Sequence, residues 1–212
     1  MKNKFVSQIE ELKKNNLYRK PVNIDLVEGV TLQKNNRKLI SFASNDYFGL
    51  SQNAQIKKSA IDAINKFGVS QSSSRYICGN NSLYGELEKQ IARMKNCEDA
   101  IVFSSGYQAA IGVISALVGE GDLVIADKLI HSCLIDGIKL SGAKMIRFAH
   151  NDMKHARLLL EENRDKKILI ITEDVFSMDG DKGNVEALRE LIDEFGCMLL
   201  SDCAHSLFDD QF

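Results

Sequence analysis

Short apolar runs alternate with amphipathic segments in most of the chain beyond residue 100. Runs of four or five mainly apolar residues are typical of strands that are buried on both faces. Such runs lie within Ala100–Phe103, Leu123–Ala126, Lys144–Phe148, Ile168–Ile171 and Cys197–Leu200. Between them, apolar residues three and four positions apart predict helices over 107–117, 131–138 and 185–195. This pattern predicts an α/β fold, in which a mainly parallel sheet carries helices on both faces.

The residues before 100 follow a different pattern. Apolar residues at helical spacing predict an amphipathic helix over 5–12. From 22 to 42 the chain alternates weakly and carries the turn signals Glu28-Gly29 and Asn35-Asn36, so we expect short hairpin strands. Two more helices are predicted, over 56–67 and 83–94.

The stretch Gly68–Asn81 is rich in Gly, Ser and Asn and contains Arg75. It is either a flexible connector or a substrate-facing loop, and its composition favours the connector. The chain has a single proline, Pro21, which argues against a Pro-rich linker. We divide the chain into residues 1–43, a helix with short strands, and residues 44–212, a major domain.

Composition and charge exclude several classes of protein. A formal net charge of −2 over 212 residues gives no reason to expect a nucleic-acid or membrane-surface partner. No apolar run approaches the ~18 residues of a membrane span, and the first residues lack the apolar core of a signal peptide, so we expect a cytoplasmic chain. The five cysteines form no C-x-x-C pair and the four histidines lack metal-ligand spacing, which favours free thiols and no metal.

Polar residues capable of chemistry directly follow several of the predicted strands. They are Ser105-Gly106, Asp127 with His131, Glu173-Asp174, and Asp202 with His205. The carboxyl ends of parallel strands share one edge of the sheet, and ligands bind at that edge. We therefore expect these residues to gather around one site.

Ser105-Gly106 has two interpretations. It is either a phosphate-binding turn, since first-turn N–H groups lack intrahelical partners and the helix dipole favours an anion, or an ordinary N-cap. Neither G-x-G-x-x-G nor G-x-x-x-x-G-K-[ST] occurs, so a Rossmann dinucleotide site or a P-loop has little support. A phosphate site, a strand-end acid such as Asp202 and a histidine suit pyridoxal phosphate, because the acid can keep the pyridine nitrogen protonated.

Several motifs, in order along the chain, resemble those of the α-oxoamine synthases. They are Ser44–Leu50, Arg75–Gly79, Phe103–Tyr107, Asp127–Ser132, Glu173–Asp181 and Asp202–His205. This family has the aspartate-aminotransferase fold (fold type I) and uses pyridoxal 5′-phosphate. The resemblance implies an acyltransferase that joins an amino acid to an acyl-CoA with loss of carbon dioxide, in a homodimer with sites at the subunit interface.

The resemblance leaves the amino acid open. Arg147–Asp152 resembles the member of the family that acts in biotin synthesis, whereas Arg75–Gly79 resembles the members that use glycine. The implied substrate is therefore alanine or glycine.

The resemblance also implies roles for individual residues towards the cofactor. Gly106 and Tyr107 would hold its phosphate through backbone N–H groups. Asp202 would make an ion pair with the ring nitrogen. Ser177 and His205 would donate hydrogen bonds to the cofactor, His205 at the phenolic oxygen.

Two further residues are implied in contacts with the substrate. His131 would stack on the pyridine ring and touch the substrate, and Arg19 would meet a substrate carboxylate. Two positions depart from the family pattern: Cys203 stands where the family has glutamate, and Tyr84 stands where a histidine is usual. The first departure should be harmless, because that position does not contact the cofactor.

The family's Schiff-base lysine and small C-terminal domain follow the Asp-x-Ala-His motif, and neither is present in these 212 residues. Lys182 is wrongly placed for the role. We therefore expect a truncated, inactive form whose sheet has unpaired edges at Ala100–Phe103 and Cys197–Leu200. The alternatives are a non-catalytic remnant that binds cofactor or a partner subunit, and an aminotransferase, against which the motifs around Tyr47 and Asp202 argue.

Overall fold

The change of pattern along the chain corresponds to a change of architecture in the structure, a computed structural model. It describes residues 2–206, with side chains from Lys4 onward. The chain divides between Ser74 and Arg75 into two units, and each has its own helices and its own sheet. The division of the chain into residues 1–43 and 44–212 stays a prediction.

The first unit contains the predicted helices and an antiparallel three-stranded sheet in the order β1-β2-β3. Its elements are α1 (Lys2–Lys14), β1 (Leu26–Glu28), β2 (Thr31–Lys34), β3 (Arg37–Ile40), a short 3₁₀ turn (Leu50–Gln52) and α2 (Ala54–Phe67). Asn35 and Asn36 both have positive φ, at 49° and 62°, as a two-residue turn between twisted strands requires. The predicted hairpin strands are confirmed.

The second unit contains a four-stranded parallel sheet in the order β5-β4-β6-β7. Its strands are β4 (Leu123–Asp127), β5 (Lys144–Phe148), β6 (Ile168–Glu173) and β7 (Met198–Asp202). Its helices are α3 (Ser82–Met94), α4 (Gly106–Leu117), α5 (Ser132–Ser141), α6 (Met153–Glu161) and α7 (Val185–Phe195). The predicted α/β class is confirmed, whereas α6 was not predicted.

Each central strand contributes to two apolar cores, because successive side chains of a strand point to opposite faces. Ile168 and Ile170 of β6 pack with residues of α6 and α7. Leu169 and Ile171 pack with residues of α4 and α5. All four side chains are buried, and burying one such side chain stabilises a fold by roughly 1.5–3 kcal/mol. The two cores hold the helix pairs on opposite faces, so the carboxyl ends of β6 and β7 open beside the start of α4 and α5.

The predicted strand at Ala100–Phe103 is wrong. The segment pairs with no strand among residues 2–206, and Ile101 is 73% exposed. Side chains satisfy its backbone instead: Glu88 Oε1 accepts the Val102 N–H at 2.9 Å, and Arg75 Nη1 donates to the Val102 carbonyl at 3.0 Å. With no neighbouring strand described beside it, an apolar run alone does not form a ladder. Arg75, expected in a flexible connector, thus anchors this segment to α3.

Candidate functional site

A cavity of about 500 Å³ lies at the carboxyl ends of β6 and β7, beside the first turns of α4 and α5. The predicted cofactor and substrate residues of the second unit all line it: Gly106, Tyr107, His131, Ser177, Asp202 and His205. The remaining walls are mainly apolar and include Ala110, Val113 and Leu200. The expected convergence therefore occurs for most of the strand-end residues, Ser105, Asp127 and Asp174 excepted, while their roles towards a ligand stay predictions.

The first turn of α4 forms one end of the cavity. Ser105 is the N-cap, and its hydroxyl accepts the Gln108 N–H at 3.2 Å. Gly106 follows, and no atom lies within 4 Å of the place where a Cβ would stand. The first N–H groups of a helix have no intrahelical acceptor and lie at the positive end of the helix dipole. This end of the cavity is suited to an anion such as a phosphate.

Two carboxylates lie side by side at the carboxyl ends of β6 and β7. Asp202 ends β7 and pairs with Glu173 of β6 in the parallel ladder. Asp202 Oδ1 accepts the Ala204 N–H at 3.0 Å, which fixes the carboxylate at the cavity. Glu173 is 4% exposed, and its Oε1 accepts the backbone N–H of His131 at 2.5 Å.

The environment of Glu173 favours its protonated form. Burial raises the pKa of Glu173 above its ordinary 4.5; the hydrogen bond from His131 opposes this shift, and the negative charge of Asp202 adds to it. The Asp202 carboxylate lies beside Glu173 at the wall of the cavity. A carboxylate there can bind a protonated ring nitrogen of a ligand.

His131 is held by both its backbone and its ring. It is the N-cap of α5, where Nδ1 accepts the Cys133 N–H at 3.2 Å and lies 3.0 Å from Cys133 Sγ. Since Nδ1 is an acceptor in this geometry, we infer that the neutral ring carries its proton on Nε2. The ring therefore has a fixed orientation at the wall of the cavity.

Tyr107 connects the two helices that begin at the cavity. Its hydroxyl donates to Asp136 Oδ2 of α5 at 3.2 Å. The negative charge of Asp136 raises the pKa of Tyr107, so the phenol stays protonated as a donor. The side chain of Tyr107 is committed to this contact, and its backbone N–H belongs to the first turn of α4.

Asp127 does not belong to the cavity, although it was expected at this edge. It is fully buried at the end of β4, and its carboxylate accepts the N–H groups of Leu129 and Asn151 at 2.8 and 2.9 Å. His150 Nδ1 lies 2.9 Å from the same carboxylate. These neighbours turn the Asp127 side chain away from the ligand cavity.

Arg19 lies in the first unit, and its contact with a substrate stays a prediction. Tyr84, at the position where the family has a histidine, lies 4.4 Å beneath the Arg75 guanidinium and does not line the cavity. The residues that sequence reasoning missed are Cys133, which lines the cavity, and the link from Glu173 to His131. Alignment of the two strand ends could have paired Glu173 with Asp202, but no sequence signal gives the hydrogen bond.

Within residues 2–206, no three His, Cys, Asp or Glu side chains are arranged to hold a metal ion. None of the helices described is long and apolar enough to cross a membrane.

Comparison with known proteins agrees with this geometry. The family model for aminotransferase class I and II matches residues 37–210. The chain therefore belongs to the aminotransferase class I and II family, an enzyme family whose cofactor is pyridoxal 5′-phosphate. Within that family its relatives are α-oxoamine synthases, so the resemblance found in the motifs is confirmed.

Three relatives illustrate the similarity. The 8-amino-7-oxononanoate synthase of Geotalea daltonii is 42% identical over 206 residues, which cover 95% of this chain and 52% of the relative. The serine palmitoyltransferase of Sphingomonas wittichii has a TM-score of 0.84 at 29% identity, covering 93% of this chain and 50% of that one. The 8-amino-7-oxononanoate synthase of Francisella tularensis has a TM-score of 0.63 at 30% identity, covering 76% and 43%. The chain spans about half the length of the relatives it matches.

Proposed function

We propose that the protein is a pyridoxal-phosphate-dependent acyltransferase that condenses alanine or glycine with an acyl-CoA and releases carbon dioxide, as in biotin synthesis. The cavity carries this proposal, because an anion site, a histidine ring and a carboxylate converge there. Sequence identity favours the 8-amino-7-oxononanoate synthases, at 42% for one relative. Serine palmitoyltransferase is the second candidate, because its fold superimposes with a TM-score of 0.84.

The residues of the cavity fit the cofactor in charge and shape. The N–H groups at Gly106 and Tyr107 would bind the phosphate, and the Asp202 carboxylate would pair with the protonated ring nitrogen. When bound, the cofactor supplies an electron sink for negative charge that develops on the amino acid. Gly106 leaves open space in front of the helix end, so the phosphate can approach the backbone.

Three side chains of the cavity would orient the ring and the substrate. His131 would present the face of its imidazole to the ring and its Nε2–H to the substrate, since Nδ1 already accepts a hydrogen bond from Cys133. Ser177 and His205 would donate to polar atoms of the cofactor from the segments that follow β6 and β7. Arg19 would bind the substrate carboxylate. We also propose a cytoplasmic homodimer, on the strength of the family resemblance.

Binding of pyridoxamine 5′-phosphate tests the cofactor site. This form lacks the aldehyde of pyridoxal phosphate and so cannot react with surface lysines. We expect the 212-residue chain to bind it, and Asp202→Asn to weaken binding by about tenfold or more, as for loss of a charge-assisted hydrogen bond. Isothermal titration calorimetry measures both affinities.

Asp193→Asn is the matched control, because Asp193 is an exposed acid on α7 and does not line the cavity. It should leave the affinity unchanged. Equal affinity of Asp202→Asn and the unsubstituted chain would refute the proposed site.

Turnover separates the enzyme from a binding remnant. The Schiff-base lysine that the family resemblance implies, which also acts as the general base, is not among these 212 residues. Loss of a positioned general base costs ~10²–10⁴ in rate, so we expect the 212 residues alone to release CoA far more slowly than a full-length relative. The assay offers alanine, glycine and serine with acyl-CoA and measures CoA release. Turnover near that of a full-length relative would contradict the expected inactivity, and preference for serine would favour the second candidate.

A further inference from the structure

A group of polar side chains that does not line the cavity connects the end of β4 to the segment that carries Ser177. Asp127, fully buried, accepts hydrogen bonds from backbone N–H groups, and its Oδ1 lies 2.9 Å from His150 Nδ1. The other ring nitrogen, Nε2, lies 2.7 Å from Asp181 Oδ2. Both nitrogens of one imidazole therefore face a carboxylate oxygen.

A protonated His150 ring satisfies both of these contacts. A neutral imidazole has one N–H donor, so only the imidazolium can donate to Asp127 and Asp181 together. Burial lowers the pKa of His150, but its hydrogen bonds to the two carboxylates outweigh this, and the pKa lies above the ordinary 6.5. The uncharged Phe176 ring packs edge-on at 4.4 Å, so the charged groups acting on His150 are Asp127 of β4 and Asp181.

The Asp181 carboxylate is held by His150 and Asn151. Its second oxygen, Oδ1, is buried and has no hydrogen-bond partner among the described residues. Oδ2 receives His150 Nε2 and, at 3.1 Å, Asn151 Nδ2. Asn151 also donates to the Lys182 carbonyl at 3.0 Å and accepts the Asn184 N–H at 3.1 Å. His150 and Asn151 together hold the far end of the Ser177 segment.

The segment is also closed upon itself. The Phe176 N–H donates to the Asp181 carbonyl at 3.0 Å, and the Gly180 N–H donates to the Phe176 carbonyl at 2.8 Å. Val175 and Lys182 form an antiparallel bridge. Ser177 therefore lies inside a short closed loop, and whatever holds Asp181 in place also holds Ser177 at the wall of the cavity.

We propose that protonated His150 is a positioning residue, which clamps Asp181 to Asp127 and thereby fixes Ser177 in the cofactor site in a pH-dependent way. This inference rests on the proposed function, since it assigns Ser177 to cofactor binding. His150 does not itself line the cavity and acts through the loop. Loss of its proton as the pH rises removes a donor to one carboxylate and releases the loop.

An NMR titration of the 212-residue chain tests the clamp without any ligand. The His150 ring resonances should titrate above pH ~6.5, and the Ser177 amide resonance should follow the same curve. Asp181→Asn should lower the pH at which His150 titrates and uncouple Ser177 from it. Asp179→Asn changes an exposed acid of the same loop and should leave both curves unchanged.

Binding of pyridoxamine 5′-phosphate tests the consequence for the site. Affinity should fall as the pH rises through the His150 transition. Asp181→Asn should weaken binding about three- to tenfold below that transition, the loss of one net hydrogen bond, and should flatten the pH profile. The probe phosphate titrates near pH ~6 in both chains, so it cancels in the comparison. Asp181→Glu should restore part of the pH dependence.

The two proposals fail in different ways. Absence of binding to the unsubstituted chain would overturn the proposed function, and the NMR titration would still test the clamp. A His150 that titrates at or below its ordinary value would overturn the positioning role. So would an Asp181→Asn chain whose Ser177 resonance and binding profile match those of the unsubstituted chain.

Discussion

Glu173, for which no role towards the cofactor was predicted, contacts two residues for which such roles were predicted, His131 and Asp202. Its carboxylate accepts the backbone N–H of His131 and faces Asp202 across the ladder. At this buried position, Glu173 provides the acceptor for the N–H group at the start of α5, but it also lies beside a second acid, Asp202. Because the pKa of Glu173 is raised, its contribution to stability is complete below about 4.5 and is lost as the pH rises through the raised value.

Two substitutions of Glu173 separate its hydrogen bond from its charge. Glu173→Gln keeps an acceptor for His131 and removes the repulsion with Asp202, so we expect stability at pH 7 to stay equal or rise by up to ~1 kcal/mol. Glu173→Ala leaves the N–H buried without its acceptor and should cost about 1–3 kcal/mol. Urea unfolding at several pH values measures both. A glutamine chain as unstable as the alanine chain would contradict this account.

The residues that meet at the site could be predicted where their type and their position in the chain are enough to place them. Asp202 and His205 follow an apolar run, and Gly106 precedes a helical pattern, so their meeting at one sheet edge follows from parallel topology. The direction in which Asp127 turns was not predictable. It depends on His150 and Asn151, which arrive from the end of β5 only when the sheet is assembled.

At the scale of elements, strong periodicity and clear end signals gave reliable boundaries. α7 runs from Val185 to Phe195 as predicted and ends at Gly196, whose φ of 65° suits glycine. α6 was not predicted from the sequence. Asp152 is its N-cap, but its apolar residues span only a short segment, which follows a polar stretch. Ala100–Phe103 shows the opposite error, since a strand needs a partner that no local pattern supplies.

Glycines in two helices give a prediction about helix packing. A Cβ on Gly137 of α5 would lie 2.9 Å from Ile114 Cδ1 and 3.0 Å from the Ala110 carbonyl of α4. Gly137→Ala should therefore destabilise the chain by about 1–3 kcal/mol through overpacking, despite the better helix propensity of alanine. Differential scanning calorimetry should show a lower melting temperature.

Gly85→Ala is the matched control. No atom lies within 4 Å of a Cβ built on Gly85 of α3, so only the helix propensity changes. We expect a gain of up to ~1 kcal/mol. Equal effects of the two substitutions would mean that α4 and α5 do not approach as closely as described.

At the scale of the whole molecule, the apolar core is concentrated in the second unit. All buried apolar residues of the described chain lie at Ala92 or beyond. In α2, the apolar side chains Ile56 and Ile64 are each about half exposed. A helix without a buried face has little tertiary support, since most helical stability in proteins comes from packing.

Hydrogen exchange should reveal this difference. Amides of β4 and β6, which are central and buried, should exchange only through global opening, whereas amides of α2 should exchange through local fraying with free energies near zero. Mass spectrometry of peptides from the 212-residue chain resolves the two regions, and α7 provides a helix of similar length within the core. Equal protection of α2 and α7 would show that the first unit is stabilised by contacts other than burial.

The alternating faces of β6 limit how this strand can change during evolution. Exchanging Leu169 for another apolar residue alters only the layer beneath α4 and α5, and the opposite layer keeps its packing. Inserting or deleting one residue reverses the direction of every later side chain in the strand. The strand can therefore vary in composition far more readily than in length, and alignments of distant relatives should contain no gaps within it.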